Sequence, residues 1–196
     1  MDSALLLWIA MGYLLGSIPF GIVISAVLGL GDLRKIGSGN IGATNVLRTG
    51  NKGAAAATLI LDGAKGAIAV FFAQAFGPEG VAQWAGLAAF IGHCYPVWLR
   101  FKGGKGVATY LGTVLALSWP VGLLCCATWL FGALVSRISS VGALTAAMST
   151  TVWMFFMARV DLLITGTILT FLIYWRHREN LKRLKAGTEP KIGKKS

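Results

Sequence analysis

Five long apolar stretches, at residues 4–30, 54–76, 81–99, 107–135 and 141–175, take up most of this chain and limit what it can fold into. Hydrophobic residues make up 56% of the 196 and charged residues 13%, with a mean hydropathy of +0.70. A soluble domain of this length keeps about 30% of its surface in water and has nowhere to hide so much apolar side chain. In lipid, each backbone polar group must be satisfied within its own segment, and runs of this length do so as helices. The expectation is an all-α integral membrane protein forming a single domain, residues 1–196.

Proline and charge divide the runs. Pro19 removes a backbone donor and crowds the preceding turn, so the first run is expected to kink or break near Ser17. Residues 141–175 as one helix would rise about 52 Å, against a hydrocarbon layer of about 30 Å. Arg159 and Asp161 would then lie near its middle, where charge is expensive. That run therefore divides at Arg159–Asp161, and residues 107–135 divide at Trp119–Pro120, since proline favours a first helical turn. Residues 107–117 would reach only about 17 Å, as a short span or a re-entrant helix covered by protein.

Seven transmembrane or partly re-entrant helices result. With seven, every Lys and Arg except Lys65 and Arg159 falls on one face, and 177–196 form a basic tail on that face. The positive-inside rule then puts the N-terminus outside and the C-terminus in the cytoplasm. A five-span arrangement leaves both long runs uncut, requires the 35-residue helix and moves Arg137 outside, so seven is preferred. The first run lacks a basic flank and exceeds a signal peptide's apolar length, which fits a retained span.

The net charge of +11 would suit nucleic acid, but it sits at the edges of apolar segments, and no nucleic-acid partner is expected. Cys94, Cys125 and Cys126 lie in apolar sequence and read as core residues. Two histidines without HxxH spacing or a carboxylate cluster make a poor metal site, so neither metal nor cofactor is expected. No G-x-S-x-G element supports an acyl-enzyme.

The polar segments carry the chemistry. Residues 37–48 read GSGNIGATNVLR: glycines let successive amides converge on an anion, Ser38 and Thr44 donate hydroxyl bonds, and Arg48 can grip a phosphate with two donors. The alternative is an ordinary surface turn, which also uses Gly and Asn. Residues 101–106, FKGGKG, lack the P-loop spacing and a preceding strand. They still place Lys105 and exposed backbone just before a helix N-terminus. His177 and Asn180 are three apart and share a face as the last helix leaves the bilayer, amid basic residues that would alternatively hold anionic lipid. Asp62 and Lys65 are likewise three apart within a span and read as a pair supporting the loop ends.

Together these motifs resemble the bacterial acyl-phosphate-dependent glycerol-3-phosphate acyltransferases, the PlsY family. The resemblance rests on Ser17-Ile18-Pro19-Phe20-Gly21, on residues 37–48, on His93-Cys94-Tyr95-Pro96 with residues 101–106, and on His177-Arg178-Glu179-Asn180-Leu181 through Gly187-Thr188-Glu189. It covers nearly the whole chain. It implies a seven-helix enzyme of the bacterial inner membrane with its active site facing the cytoplasm. The reaction implied moves a fatty acyl group from acyl phosphate to the 1-hydroxyl of sn-glycerol 3-phosphate, the first step of phospholipid synthesis. Acyl-CoA and acyl carrier protein are not direct donors, and membrane lipid is the remaining partner.

On the residues and the resemblance together, the catalytic set is Ser38, Arg48, Lys105, His177 and Asn180. Gly37, Gly39, Asn40, Gly42, Thr44 and Asn45, with Lys102, Gly103, Gly104 and Gly106, are assigned to phosphate and substrate. His93 is either a base or a structural residue. A mixed anhydride is already activated, so alignment and charge stabilisation suffice, and a substrate phosphate is the preferred proton acceptor. The tail beyond Glu189 reads as dispensable. The rival reading, a small transporter or binding protein for phosphorylated metabolites or lipid, would need a polar path across the bilayer, whereas these donors cluster on one side.

Overall fold

A computed structural model describes residues 3–192, so the last four residues of the expected basic tail lie outside it. Among the described residues the chain forms ten α-helices joined by short turns. The first apolar run splits, as the proline requires, into α1 (Ser3–Gly16) and α2 (Phe20–Val27). A short α3 (Ala43–Leu47) follows within the first polar segment. Then come α4 (Lys52–Phe76), α5 (Val81–Cys94) and α6 (Val107–Leu117). The chain ends with α7 (Trp119–Ser136), α8 (Ser139–Phe156), α9 (Leu163–Arg176) and α10 (Arg178–Lys185).

Both expected divisions are present. Ser118 is extended between α6 and α7, with Pro120 in the first turn of α7. A single 3-10 turn, Val160–Leu162, separates α8 from α9. Three segments are long and apolar enough to cross a membrane on length and composition: Ser3–Val27, Lys52–Phe76 and Trp119–Ser136.

The partition of side chains is inverted relative to a soluble bundle. Phe72, Phe76, Phe131, Leu134, Phe155, Phe156 and Phe171 are exposed, while Thr58, Asp62, Lys65, Thr109, Thr113 and Thr150 are buried. Lipid is as apolar as the core, so polar side chains turn inward, where Thr58 bonds the Ala54 carbonyl and Lys65 pairs with Asp62. Small residues let the helices meet backbone to backbone. A methyl group at Gly16 of α1 would overlap Ala89 of α5, and one at Gly112 of α6 would overlap the Gly63 carbonyl of α4. The apolar core gathers Phe90, Tyr110, Val114, Val121, Cys125, Met154, Leu169 and Ile173 from five helices.

The break at Pro19 takes the carbonyls of Ser17 and Ile18 out of the helical ladder, and Ile18 O accepts from Phe20 N at 3.1 Å. Trp98 Nε1 donates to Ser17 O at 2.9 Å and Lys65 Nζ donates to Ile18 O at 2.8 Å. The expected Asp62–Lys65 pair forms at 2.9 Å, and Lys65 Nζ also lies 2.8 Å from His93 Nδ1. An ammonium only donates, so His93 Nδ1 is the acceptor in that contact. Lys65, 1% exposed, thus ties the α1–α2 break to α4 and to the end of α5. At the other end of α6 from Lys105, Arg159 donates to Leu117 O at 2.8 Å and pairs with Asp161.

Candidate active site

A cavity of about 600 Å³ opens between the first polar segment, α4, the start of α6, α7, the start of α8 and the α9–α10 junction. Ser38, Arg48, Lys105, His177 and Asn180 all line it, although they span most of the chain. Asn40, Gly42, Thr44, Asn45, Gly106 and His93 line it as well.

Asn45 organises the first segment. Its amide donates to the carbonyls of Leu33, Ile36 and Asn40 at 2.7–3.0 Å. Its Oδ1 accepts from Ser38 N at 3.2 Å and from Arg48 Nη1 at 3.0 Å. The side chain is therefore spent on shaping the loop that carries Ser38 and Arg48. Gly37 and Gly39 have φ of +52° and +67°, where a side chain is strained, and a methyl at Gly37 would run into Arg48 and Asn45. They shape the turn and do not line the cavity.

The second segment needs correction. Gly103 and Gly104 were expected to offer free amides to a phosphate, but those amides donate to Cys94 O and His93 O, each at 3.1 Å. Their carbonyls accept from Arg176 at 3.0 Å, with the guanidinium 4.9 Å from the centre of the Tyr95 ring. Lys102 is exposed and away from the cavity. Spacing could not reveal that neighbouring chain had already claimed these groups. The pair instead serves to hold the loop, and a methyl at Gly104 would strike His93 Nε2. His93 lies beneath the loop, contacted by Lys65 from the far side, and also borders the cavity.

Lys105 is the cation this loop delivers. Its Nζ donates to Asn180 Oδ1 at 2.5 Å. The Asn180 amide in turn donates to Glu189 Oε1 at 2.5 Å, so its orientation is fixed between a cation and a carboxylate. Ser140 and Arg183 also bond Glu189, each at 2.7 Å. Burial would raise the Glu189 pKa, but the bonds from Asn180, Ser140 and Arg183 outweigh it and hold the carboxyl below its usual range. Burial pushes the Lys105 pKa down to about 8, Glu189 opposes this, and Arg183, Arg176 and Arg48 add to it.

His177 is buried, and its Nδ1 lies 2.8 Å from Ile173 O, an acceptor, so Nδ1 carries the proton. Burial and then the Lys105 charge lower its pKa to about 4. At neutral pH the ring is uncharged and Nε2 is a hydrogen-bond acceptor. Two helix N-termini also face the cavity: Gly106, Val107 and Ala108 at α6, and Ser139 and Ser140 at α8. Their unpaired amides and dipoles favour anions.

Ser139, Ser140 and Glu189 were not among the site residues expected from sequence. A Ser pair ahead of an apolar run is a helix-start signal, and Glu189 is an acid in a basic tail, yet neither says where the tail folds. Asp62, expected as a support, also borders the cavity.

Below its cationic mouth the cavity is lined by Gly63, Ala64 and Ala67 of α4, Leu111 and Gly112 of α6, and Trp129 of α7. A cationic mouth above an apolar cleft is the arrangement of a membrane-embedded enzyme in which a phosphorylated reactant meets an acyl chain. A sequence model described as glycerol-3-phosphate acyltransferase matches residues 6–187. Glycerol-3-phosphate acyltransferases of Ruegeria pomeroyi and Cereibacter sphaeroides are 64% and 62% identical, over 98% of this chain and 95% and 92% of theirs. A crystal structure of PlsY, an integral membrane glycerol 3-phosphate acyltransferase in its glycerol 3-phosphate form, superposes with a TM-score of 0.91 at 43% identity. The match covers 98% of this chain and 96% of that one. The lysophosphatidic acid form gives a TM-score of 0.89 at 42% identity. The chain belongs to the glycerol-3-phosphate acyltransferase family and is a multi-pass membrane acyltransferase.

Proposed function

We propose that this enzyme transfers a fatty acyl group from acyl phosphate to the 1-hydroxyl of sn-glycerol 3-phosphate, releasing 1-acyl-sn-glycerol 3-phosphate and inorganic phosphate. The observation that carries this reading is one cavity with a cationic mouth, two helix N-termini and an apolar floor. Both reactants bear phosphate, and one bears an acyl chain. Arg48, Ser38 and the α8 N-terminus hold one phosphate, and Lys105 with the α6 N-terminus holds the other. Asn180 and Glu189 position Lys105. His177 Nε2 accepts a hydrogen bond from a glycerol hydroxyl and orients it.

In the chemical step the glycerol oxygen attacks the acyl carbon and the bond from that carbon to the phosphate oxygen breaks. Lys105, Arg48 and the helix amides stabilise the negative charge that develops. The hydroxyl proton passes to phosphate, whose second pKa of about 6 suits it as acceptor. No residue has to become acylated, because the donor is already an anhydride.

The enzyme lies in the bacterial inner membrane with seven crossings: α1 and α2 together, then α4, α5, α6, α7, α8 and α9. The N-terminus is outside, and the mouth and C-terminal tail face the cytoplasm, where glycerol 3-phosphate is found. Arg159 at the far end of α6 from Lys105 supports this sidedness.

Purified enzyme given glycerol 3-phosphate with acyl phosphate, acyl-CoA or acyl carrier protein in turn tests the donor. Product with acyl phosphate alone is expected, and product from either thioester at a comparable rate overturns it. Arg48→Ala should cost at least about a hundredfold in kcat/KM, the scale on which loss of one preorganised charge-stabilising group is felt. Near-normal turnover in that variant would displace the site.

A further inference from the structure

His93 lies in the last turn of α5 and is 5% exposed, yet it borders the cavity together with Asp62, Lys105 and Gly106. Its two ring nitrogens have different surroundings. Nδ1 lies 2.8 Å from Lys65 Nζ and 3.6 Å from Asp62 Oδ1, the second beyond hydrogen-bond length. Lys65 is held there, because it also donates to Ile18 O at 2.8 Å and pairs with Asp62 at 2.9 Å. A proton on Nδ1 would face that ammonium, so Nδ1 accepts and the ring proton sits on Nε2. Nε2 has no hydrogen-bond partner among the described residues. It stands against Gly104, the residue before Lys105, where a methyl group would strike it. His177 is held in the opposite tautomer, its Nδ1 proton going to Ile173 O. The site thus has one imidazole that accepts at Nε2 and one that donates there.

We propose that His93 is a substrate-binding residue of this site, its Nε2–H donating to the phosphoryl group that Lys105 holds. This rests on the reading above, in which Lys105 and the α6 N-terminus take one of the two phosphates. A buried donor left unpaired is costly, and a phosphate oxygen beside Lys105 relieves that cost. The nearest carboxylate, that of Asp62, is engaged by Lys65. The same tautomer excludes His93 as the base. Nε2 already carries a proton, and the remaining lone pair, on Nδ1, is taken by Lys65. The glycerol hydroxyl proton has no place on this ring, which agrees with its transfer to phosphate.

Nitrogen-15 NMR of histidine-labelled enzyme in detergent tests this before any residue is changed, since the chain has two histidines. One ring should show the Nε2–H pattern and the other the Nδ1–H pattern. Glycerol 3-phosphate or inorganic phosphate should shift the Nε2–H ring, and the His93→Asn spectrum should lack that ring. His93→Asn keeps an oxygen within reach of Lys65 but has no group at the Nε2 position, whereas His93→Gln puts an amide N–H there. His93→Asn should raise KM for the substrate whose phosphate sits at Lys105 by at least about tenfold, the worth of one hydrogen bond to a charged group, with a smaller change in kcat. His93→Gln should recover most of it. A rise for glycerol 3-phosphate assigns that substrate to Lys105, and a rise for acyl phosphate assigns the other. Two Nδ1–H rings, a His93 ring that neither anion moves while His177 responds, or a Gln variant no better than Asn overturns the proposal and leaves the phosphate placement intact. If neither ring responds at substrate concentrations that saturate turnover, the phosphate placement at Lys105 falls, and this inference with it.

Discussion

Lys105 shows how far the surroundings of one residue govern its chemistry. Its burial and the neighbouring Arg183, Arg176 and Arg48 lower its pKa to about 8, against the opposing pull of Glu189. The charged form is the one that binds phosphate, and it is lost as pH rises through that value. Glycerol 3-phosphate is itself dianionic well below this range, with a second pKa of about 6, so the substrate does not change there. The kcat/KM for glycerol 3-phosphate should therefore fall above pH about 8, with one proton lost. In Lys105→Arg the guanidinium stays charged, and the fall should disappear from the accessible range even if the absolute rate is lower. Initial-rate profiles of the two enzymes check this. A neutral His177, with its pKa near 4, adds no titration in the same window.

At the scale of elements, the site depends on where short helices begin. The start of α6 is set by Gly106, at φ +79°, which a methyl group would push into the Phe90 ring. The depth of α6 in the bundle is set by its contact with α4, where Gly112 lies against the Gly63 carbonyl. Gly112→Ala should overpack this crossing and cost about 1–3 kcal/mol. It should appear as a lower unfolding temperature in detergent, together with reduced turnover, because Lys105 immediately precedes α6. An unchanged unfolding temperature would mean the two helices separate freely. The divisions of the long apolar runs at Trp119–Pro120 and Arg159–Asp161 were readable because proline and charge each forbid a continuous helix there. The fold-back of Glu189 onto Ser140 was not readable, since that contact joins positions 49 apart along the chain.

For the molecule as a whole, the arrangement gathers cations and helix N-termini at one end of the bundle and leaves Arg159 at the other. If that first end faces the cytoplasm, exposed Arg137, whose carbonyl accepts from Ile192 N at 2.8 Å, lies on the cytoplasmic side too. Arg137→Cys, in a Cys126→Ala background because Cys126 borders the cavity, should react with a membrane-impermeant thiol reagent in inverted vesicles and not in intact spheroplasts. Cys94 and Cys125 are buried and should stay unlabelled. The opposite pattern would reverse the orientation. The bond from Ile192 also ties the described part of the tail beyond Glu189, a tail read from sequence as dispensable, back to the α7–α8 turn.

Hydropathy, proline and charge determined by themselves that this chain lives in a membrane as helices, where its long apolar runs break, and which segments gather glycine beside basic side chains. These are local properties: lipid demands internally bonded backbone, and glycine beside a cation has the same meaning wherever it falls. Which donors are actually free was decided only by tertiary packing. Gly103 and Gly104 gave their amides to Cys94 and His93, Asn180 was pinned between Lys105 and Glu189, and Ser140 entered the site from a distant helix. A backbone amide or side chain can serve a ligand only if no other part of the chain has already taken it, and that competition is settled by contacts between residues far apart in sequence.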